Sequence, residues 1–223
     1  MKREPGIAGL AALIAEPARA RMLSALMGGK ALTATELALE AGVAPSTASA
    51  HLGKLAGANV VAMEKQGRHR YFRLNDPEIA EVLEGLMGIA ARDGRRRTGP
   101  DDPALRKARV CYDHLAGELA IWLVESLRQR KILLGRDSWA ISDEGEMFFR
   151  AWGIDVDSLA ASRRPLARGC LDWSERRFHL GGGLGAAVLM RIFPLRWARR
   201  ELEGRAVIFS AAGERSFRAH FAG

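Results

Sequence analysis

The sequence predicts a mainly α chain with small β-hairpins, an α+β fold in two parts. Three observations predict it. Apolar residues recur at helical spacing between glycine stops through most of the first 90 positions. Two strand-like runs joined by a cationic tip interrupt that pattern around Gly67. The second half then repeats a short pattern of its own.

With 223 residues, 48% of them apolar and 27% charged, the chain can bury a core, and its composition excludes disorder and a small disulfide scaffold. The longest nearly charge-free apolar stretch, Gly181 to Met190, is about half of the roughly 20 residues a spanning helix needs, so no membrane association is expected. Lys2 and Arg3 precede the apolar run Ile7 to Ala15, and Ala18-Arg19-Ala20 imitates a cleavage site. Glu4 and Glu16 bracket that run, so it is read as a first helix and not as a signal peptide. Cys111 and Cys170 are too few for a disulfide framework, and a reducing cytoplasm is the expected compartment.

The 34 basic and 26 acidic residues leave a net charge of +8, which permits a polyanionic partner. Placement says more. Between Ser46 and Arg73 stand Lys54, Lys65, Arg68, Arg70 and Arg73 against Glu64 alone, and Asp76, Glu78, Glu81 and Glu84 follow. A second basic run from Arg92 to Arg109, interrupted by Gly94, Gly99, Pro100 and Pro103, reads as an exposed connector. The expected division is 1–92, a basic linker over 93–108, and 109–223.

Element by element, Pro17 sits in the first turn of a helix whose Ala18, Met22, Leu23 and Leu26 are apolar until Gly28-Gly29 stop it. Thr33 to Glu36 forms a capping box for a short helix carrying Leu37 and Ala41 and ending at Gly42. Pro45 opens the next helix, in which Ala48, Leu52 and Leu55 face inward. That helix leaves Ser46, Thr47, Ser49, Ala50, His51 and Lys54 on the opposite side, where hydroxyls and cations meet phosphates and base edges. Val60 to Met63 and Tyr71 to Leu74 are strands, and the tip between them carries Lys65, Arg68, His69 and Arg70. Together these are a helix-turn-helix followed by a basic wing.

Val43-Ala-Pro-Ser-Thr-Ala-Ser-Ala-His-Leu-Gly-Lys-Leu55, with Val60-Val61 through Gly67-Arg68-His69-Arg70-Tyr71-Phe72-Arg73-Leu74, resembles the ArsR/SmtB family of winged-helix repressors over about the first 90 residues. The resemblance implies a homodimer on double-stranded operator DNA that represses transcription until an inducer is sensed. Ser46, Thr47, Ser49, His51, Lys54, Arg68, His69 and Arg70 would then be the DNA-binding residues. It also implies dimer contacts through the first and last helices of the domain. Ile7, Leu10, Ala11 and Ile14 supply one apolar stripe, and Ile79, Val82, Leu83, Leu86, Met87 and Ala90 the other. Many family members bind metal through cysteines before the recognition helix or through Asp, His and Glu in the last helix. Leu37 to Glu40 has no thiol and 76–92 has no histidine, so an inducer is expected to act elsewhere and remains unknown.

Residues 109–223 read as two reduced winged-helix-like repeats, about 109–160 and 165–223, each a helix, a strand and a closing helix. His114 to Ala120 resembles His179 to Gly185, and Trp139 to Phe149 resembles Val207 to Phe217, with a Ser cap and a Gly three residues later. Gly181-x-Gly183-x-x-Ala186 formally meets a dinucleotide fingerprint, but no buried strand is expected before it, so helix packing is the better use. Both cysteines lie in a Cys-x-Asp step before a repeated His-Leu. On a helix Cys111, His114 and Glu118 would share a face; with Cys170, Asp172 and His179 they are candidate ligands for zinc or another transition metal. A thiol-redox switch and a purely structural role for the same residues stay open. An enzyme is not expected, because there is no nucleophile elbow, paired-histidine zinc helix or phosphate loop. A protein-interaction module is disfavoured by the basic wing.

Overall fold

The computed structural model describes residues 7–67, 69–90, 100, 102–135, 139–201 and 204–222. The chain forms two compact units, Met1–Leu83 and Glu84–Gly223. Among the described residues no helix is long and apolar enough to cross a membrane.

The first unit begins with α1 (Ile7–Ile14), which buries none of its residues, and α2 (Pro17–Leu26). Glu16 caps α2 by accepting from the Ala18 and Arg19 amides. After β1 (Leu32–Thr33), α3 (Ala34–Ala41) starts at the expected capping box, in which Thr33 N donates to Glu36 Oε2 at 2.6 Å and Glu36 N to Thr33 Oγ1 at 3.3 Å. It stops at Gly42, whose φ of 65° suits glycine. After Val43 and Ala44, α4 (Pro45–Gly57) begins, and β2 (Val61–Gln66) and β3 (His69–Leu74) form the hairpin behind it. The sheet order is β1-β3-β2, with Leu32 opposite Phe72 and Val61 opposite Leu74. Met22, Leu23, Leu26, Leu37, Leu52, Leu55 and Leu74 fill the core. Burying the inner faces of three short helices and one hairpin leaves the outer side of α4 and the hairpin tip to solvent.

α5 (Pro77–Ala90) runs across the division between the units. The basic connector expected over 93–108 is partly ordered structure. Asp102 caps α6 (Pro103–Lys107), and Ala108 is fully buried. Residues 93–99 and 101 lie outside the described residues.

The second unit continues with β4 (Arg109–Cys111), β5 (His114–Ala116), α7 (Glu118–Gln129), β6 (Leu133–Leu134), β7 (Ala140–Ile141), α8 (Asp143–Ala151) and α9 (Val156–Ala160). It ends with β8 (Arg168–Leu171), β9 (Phe178–Gly181), α10 (Gly182–Ile192), β10 (Ala198–Arg200), β11 (Val207–Phe209) and α11 (Ala211–Ala222). Thus a hairpin, a helix, a hairpin and a helix occur twice, with α9 between. Each part differs from the expected helix, strand and helix, because the segment around Cys111 is a tight hairpin: Tyr112 turns it with φ of 59°. Likewise a short strand, β9, does precede the glycine cluster. It pairs antiparallel with β8, which is not the parallel strand-helix-strand context of a dinucleotide site.

The glycines instead allow close approach. A Cβ on Gly185 would lie 2.2 Å from the Leu180 carbonyl oxygen, and one on Gly213 2.0 Å from that of Trp197. Leu115, Leu119, Leu123, Phe149, Leu184, Val188, Phe217 and Phe221 build the shared core of this unit.

Candidate functional site

Two groups of side chains stand out, one on each unit. On the first, Pro45 at the first turn of α4 orients the exposed hydroxyls of Ser46 and Thr47 at the helix N-terminus, where free amides favour anions. Ser49 is exposed too, but its Oγ donates to the Pro45 carbonyl at 2.9 Å. Lys54 stands exposed in the last turn.

His51 departs from the expected face. Its side chain keeps only 16% exposure, its Nδ1 lies 3.1 Å from Arg19 Nη1, and its Nε2 lies 3.6 Å from Glu16 Oε2. A guanidinium can only donate, so Nδ1 accepts and the ring proton points towards Glu16. The imidazole therefore ties α4 to the start of α2. The physical reason is position: one turn before Leu55 and next to Leu52, residue 51 flanks the buried stripe. Glu16 is held below the usual carboxylate range by the Arg19 amide, with the neighbouring His51 and Arg19 adding to it. Arg19 escaped the sequence reading. It is buried, and its Nε donates to the Leu13 carbonyl at 2.6 Å and its Nη2 to that of Ala12 at 3.0 Å, pinning the end of α1.

In the wing, Lys65 lies opposite Arg70 and Gln66 opposite His69, all exposed. Successive strand residues face opposite sides, so Arg70 and Lys65 share one face and His69 takes the other. Arg68 lies outside the described residues.

On the second unit, the two equivalent hairpins bring four buried residues together. Cys111 pairs with His114 across β4-β5, and Cys170 with His179 across β8-β9. The extra residues between Cys170 and His179 are absorbed in the longer connection of the second hairpin. The two sulfurs are 4.0 Å apart and the two Nε2 atoms 3.1 Å apart. One ligand atom from each of the four residues lies within 4.8 Å of all the others.

Carboxylates back both rings. His114 Nδ1 is 3.0 Å from Asp113 Oδ1, and Asp113 is held in turn by Arg164. His179 Nδ1 is 3.3 Å from Asp172 Oδ2, though off the line of a hydrogen bond. Asp172 also accepts from Arg109 Nη2 at 2.6 Å, Ser174 Oγ at 2.7 Å and the Gly117 amide at 2.7 Å. Burial alone would raise both acids. The donors outweigh it, bringing Asp113 down to about 2 and Asp172 well below the carboxylate range. Burial opposes protonation of His179, but Asp172 and Cys170 outweigh it and raise the ring to about 9. Hydrogen bonding to Cys170 and burial push the Cys111 thiol up, while the bond from Cys111 and then the two imidazoles hold Cys170 down.

The expected ligand set is therefore rearranged. Glu118 is exposed at the first turn of α7 and outside the cluster, because residues 111 and 114 lie on strands and the helical spacing does not apply. Asp172 sits behind His179. Asp113, Arg109 and Arg164 are supporting residues that no local pattern joins, since Arg164 is 51 positions from Asp113.

Comparison with known proteins gives four findings. A helix-turn-helix domain family matches residues 14–64. Over 219 residues, 97% of this chain and 97% of the relative, the chain is 39% identical to the uncharacterized HTH-type transcriptional regulator YdfF of Bacillus subtilis (strain 168). It is 33% identical to the HTH-type transcriptional regulator CmtR of Mycobacterium tuberculosis (strain ATCC 25618 / H37Rv) over 87 residues, 39% of this chain and 73% of the relative. Among solved structures, the cadmium metal-sensor CMTR from Mycobacterium tuberculosis matches with 29% identity and a TM-score of 0.34, over 43% of this chain and 100% of that one.

Proposed function

Because the chain belongs to the HTH-type transcriptional regulators, we propose that it acts as a homodimeric repressor that grips double-stranded operator DNA through α4 and the wing and is released by an inducer. The observation that carries the reading is the exposed edge formed by Ser46, Thr47, Ser49 and Lys54 on α4, on the same unit as a wing whose Lys65 and Arg70 share a face. Helix N-terminal hydroxyls and amides position the phosphates, side chains along the helix reach base edges, and wing cations add backbone attraction. His51 drops out of the contact set and serves to hold α4. Dimerisation is supported by apolar side chains left to solvent: Ile7 and Leu10 on α1, and Val82, Leu86 and Ile89 on α5.

The test is titration of labelled DNA from upstream of the chain's own coding region with the full-length protein. Most of the affinity is electrostatic, so with roughly 6 to 10 phosphate contacts it falls by about 10³ to 10⁵ between about 50 and 200 mM salt. Binding that ignores salt, or that does not distinguish this DNA from a scrambled duplex, overturns the reading.

A further inference from the structure

We propose that Cys111, His114, Cys170 and His179 form a tetrahedral zinc site that clamps the β4-β5 hairpin to the β8-β9 hairpin. Around zinc with bonds of about 2.3 Å to sulfur and about 2.0 Å to nitrogen, tetrahedral angles put two sulfurs about 3.8 Å apart and two nitrogens about 3.3 Å apart. The observed separations of 4.0 and 3.1 Å need only small adjustments.

The second argument is the direction of the lone pairs. Asp113 beside His114 Nδ1 and Asp172 beside His179 Nδ1 place the ring protons on the Nδ1 atoms. The two Nε2 atoms then face each other at 3.1 Å, where without metal one shared proton holds them together and with metal both lone pairs are free to bind the same cation. Carboxylate behind imidazole is how proteins orient metal-bound histidines.

Charge balance agrees. Two thiolates, two neutral imidazoles and Zn²⁺ sum to zero, and the acids behind them are paired with Arg164 and Arg109. A neutral assembly is what a site this deeply buried can hold at low cost. The donor set, two sulfurs and two nitrogens, selects zinc over the oxygen-preferring magnesium and calcium. Four protein ligands leave no open position, so the ion is structural. A disulfide would use the two sulfurs alone and leave the carboxylate-backed imidazoles unexplained. The four ligands lie outside residues 14–64, and the proposal stands apart from the DNA-binding reading.

The test uses full-length protein purified under reductant from zinc-supplemented cells, with metal content measured per folded chain. About one zinc per chain is expected, and Co²⁺ added to the metal-free protein should give thiolate charge-transfer and tetrahedral visible bands. Cys111→Ser and Cys170→Ser should each lose the zinc, while Glu118→Gln retains it. Asp113→Asn, which leaves every ligand in place, should weaken zinc by about 10- to 100-fold in chelator competition. Should the cysteine variants not fold, the wild-type cobalt spectrum and the Asp113→Asn competition decide. A folded wild-type chain without zinc or a tetrahedral cobalt spectrum overturns the proposal. So does a Cys111–Cys170 disulfide in place of the metal, or zinc content unchanged by the cysteine substitutions.

Discussion

Lys54 and His51 are three positions apart on α4 and do different work. Lys54 is exposed and cationic, so Lys54→Ala should weaken DNA binding at all sequences and reduce the salt slope by about one phosphate contact per subunit. His51→Ala breaks the contact with Arg19 and Glu16, and it should lower thermal stability while leaving the salt slope unchanged. Titrations at several salt concentrations, beside melting curves, separate the two. A third side chain predicts a pH effect. His220 stacks on Trp152 and Phe148 at 4.8 Å each, and burial, with Arg130 nearby, lowers its pKa from 6.5. The unfolded chain then takes up a proton that the folded chain resists. This contribution is fully present above pH 6.5 and is lost as the pH falls below it. His220→Phe keeps an aromatic ring there and should flatten that acid-side loss, read as the difference between two series of unfolding curves. Residue type is legible from the chain alone. Which partner each would meet depended on chain segments tens of positions away.

At the scale of elements, local chemistry decides where helices begin. Ser142 Oγ accepts from the Gly145 amide at 3.1 Å, and Ser210 Oγ from the Gly213 amide at 2.9 Å, so the Ser-x-x-Gly pattern legible in the sequence is a helix cap twice over. The glycine has a second reason that appears only in three dimensions. Its missing Cβ lets each helix abut the chain entering the preceding hairpin: a Cβ would lie 2.8 Å from the Ile132 carbonyl oxygen at Gly145 and 2.0 Å from that of Trp197 at Gly213. Gly213→Ala should therefore destabilise the second unit by roughly 1 to 3 kcal/mol. Gly53→Ala in α4, where a Cβ meets nothing within 4 Å, should stabilise by about 0.5 to 1 kcal/mol. Denaturant titration of both variants checks the contrast. Helix reading failed between Arg109 and Ala116 because short hairpins carry too few residues to display a period of two, and Cys-x-x-His spacing suits a helix face equally well.

For the whole molecule, the exposed apolar residues of α1 and α5 predict assembly. Leu86→Glu, at a position already exposed in the single chain, should leave folding intact, shift sedimentation towards monomer, and lower operator affinity because one subunit supplies only half of the contacts. The winged helix-turn-helix, its capping box, its buried stripe and its basic wing are legible in the chain because each follows from spacing within a few residues. In the second half the local patterns suggest a repeat, but as helix, strand and closing helix, and they miss the hairpins at Cys111 and Cys170. Long-range packing turns His51 inward, keeps Glu118 outside, and brings Cys111, His114, Cys170 and His179 together. The reason is that periodicity and caps act over one or two turns of chain, whereas convergence of two hairpins about 60 residues apart is set by packing of the shared core between them.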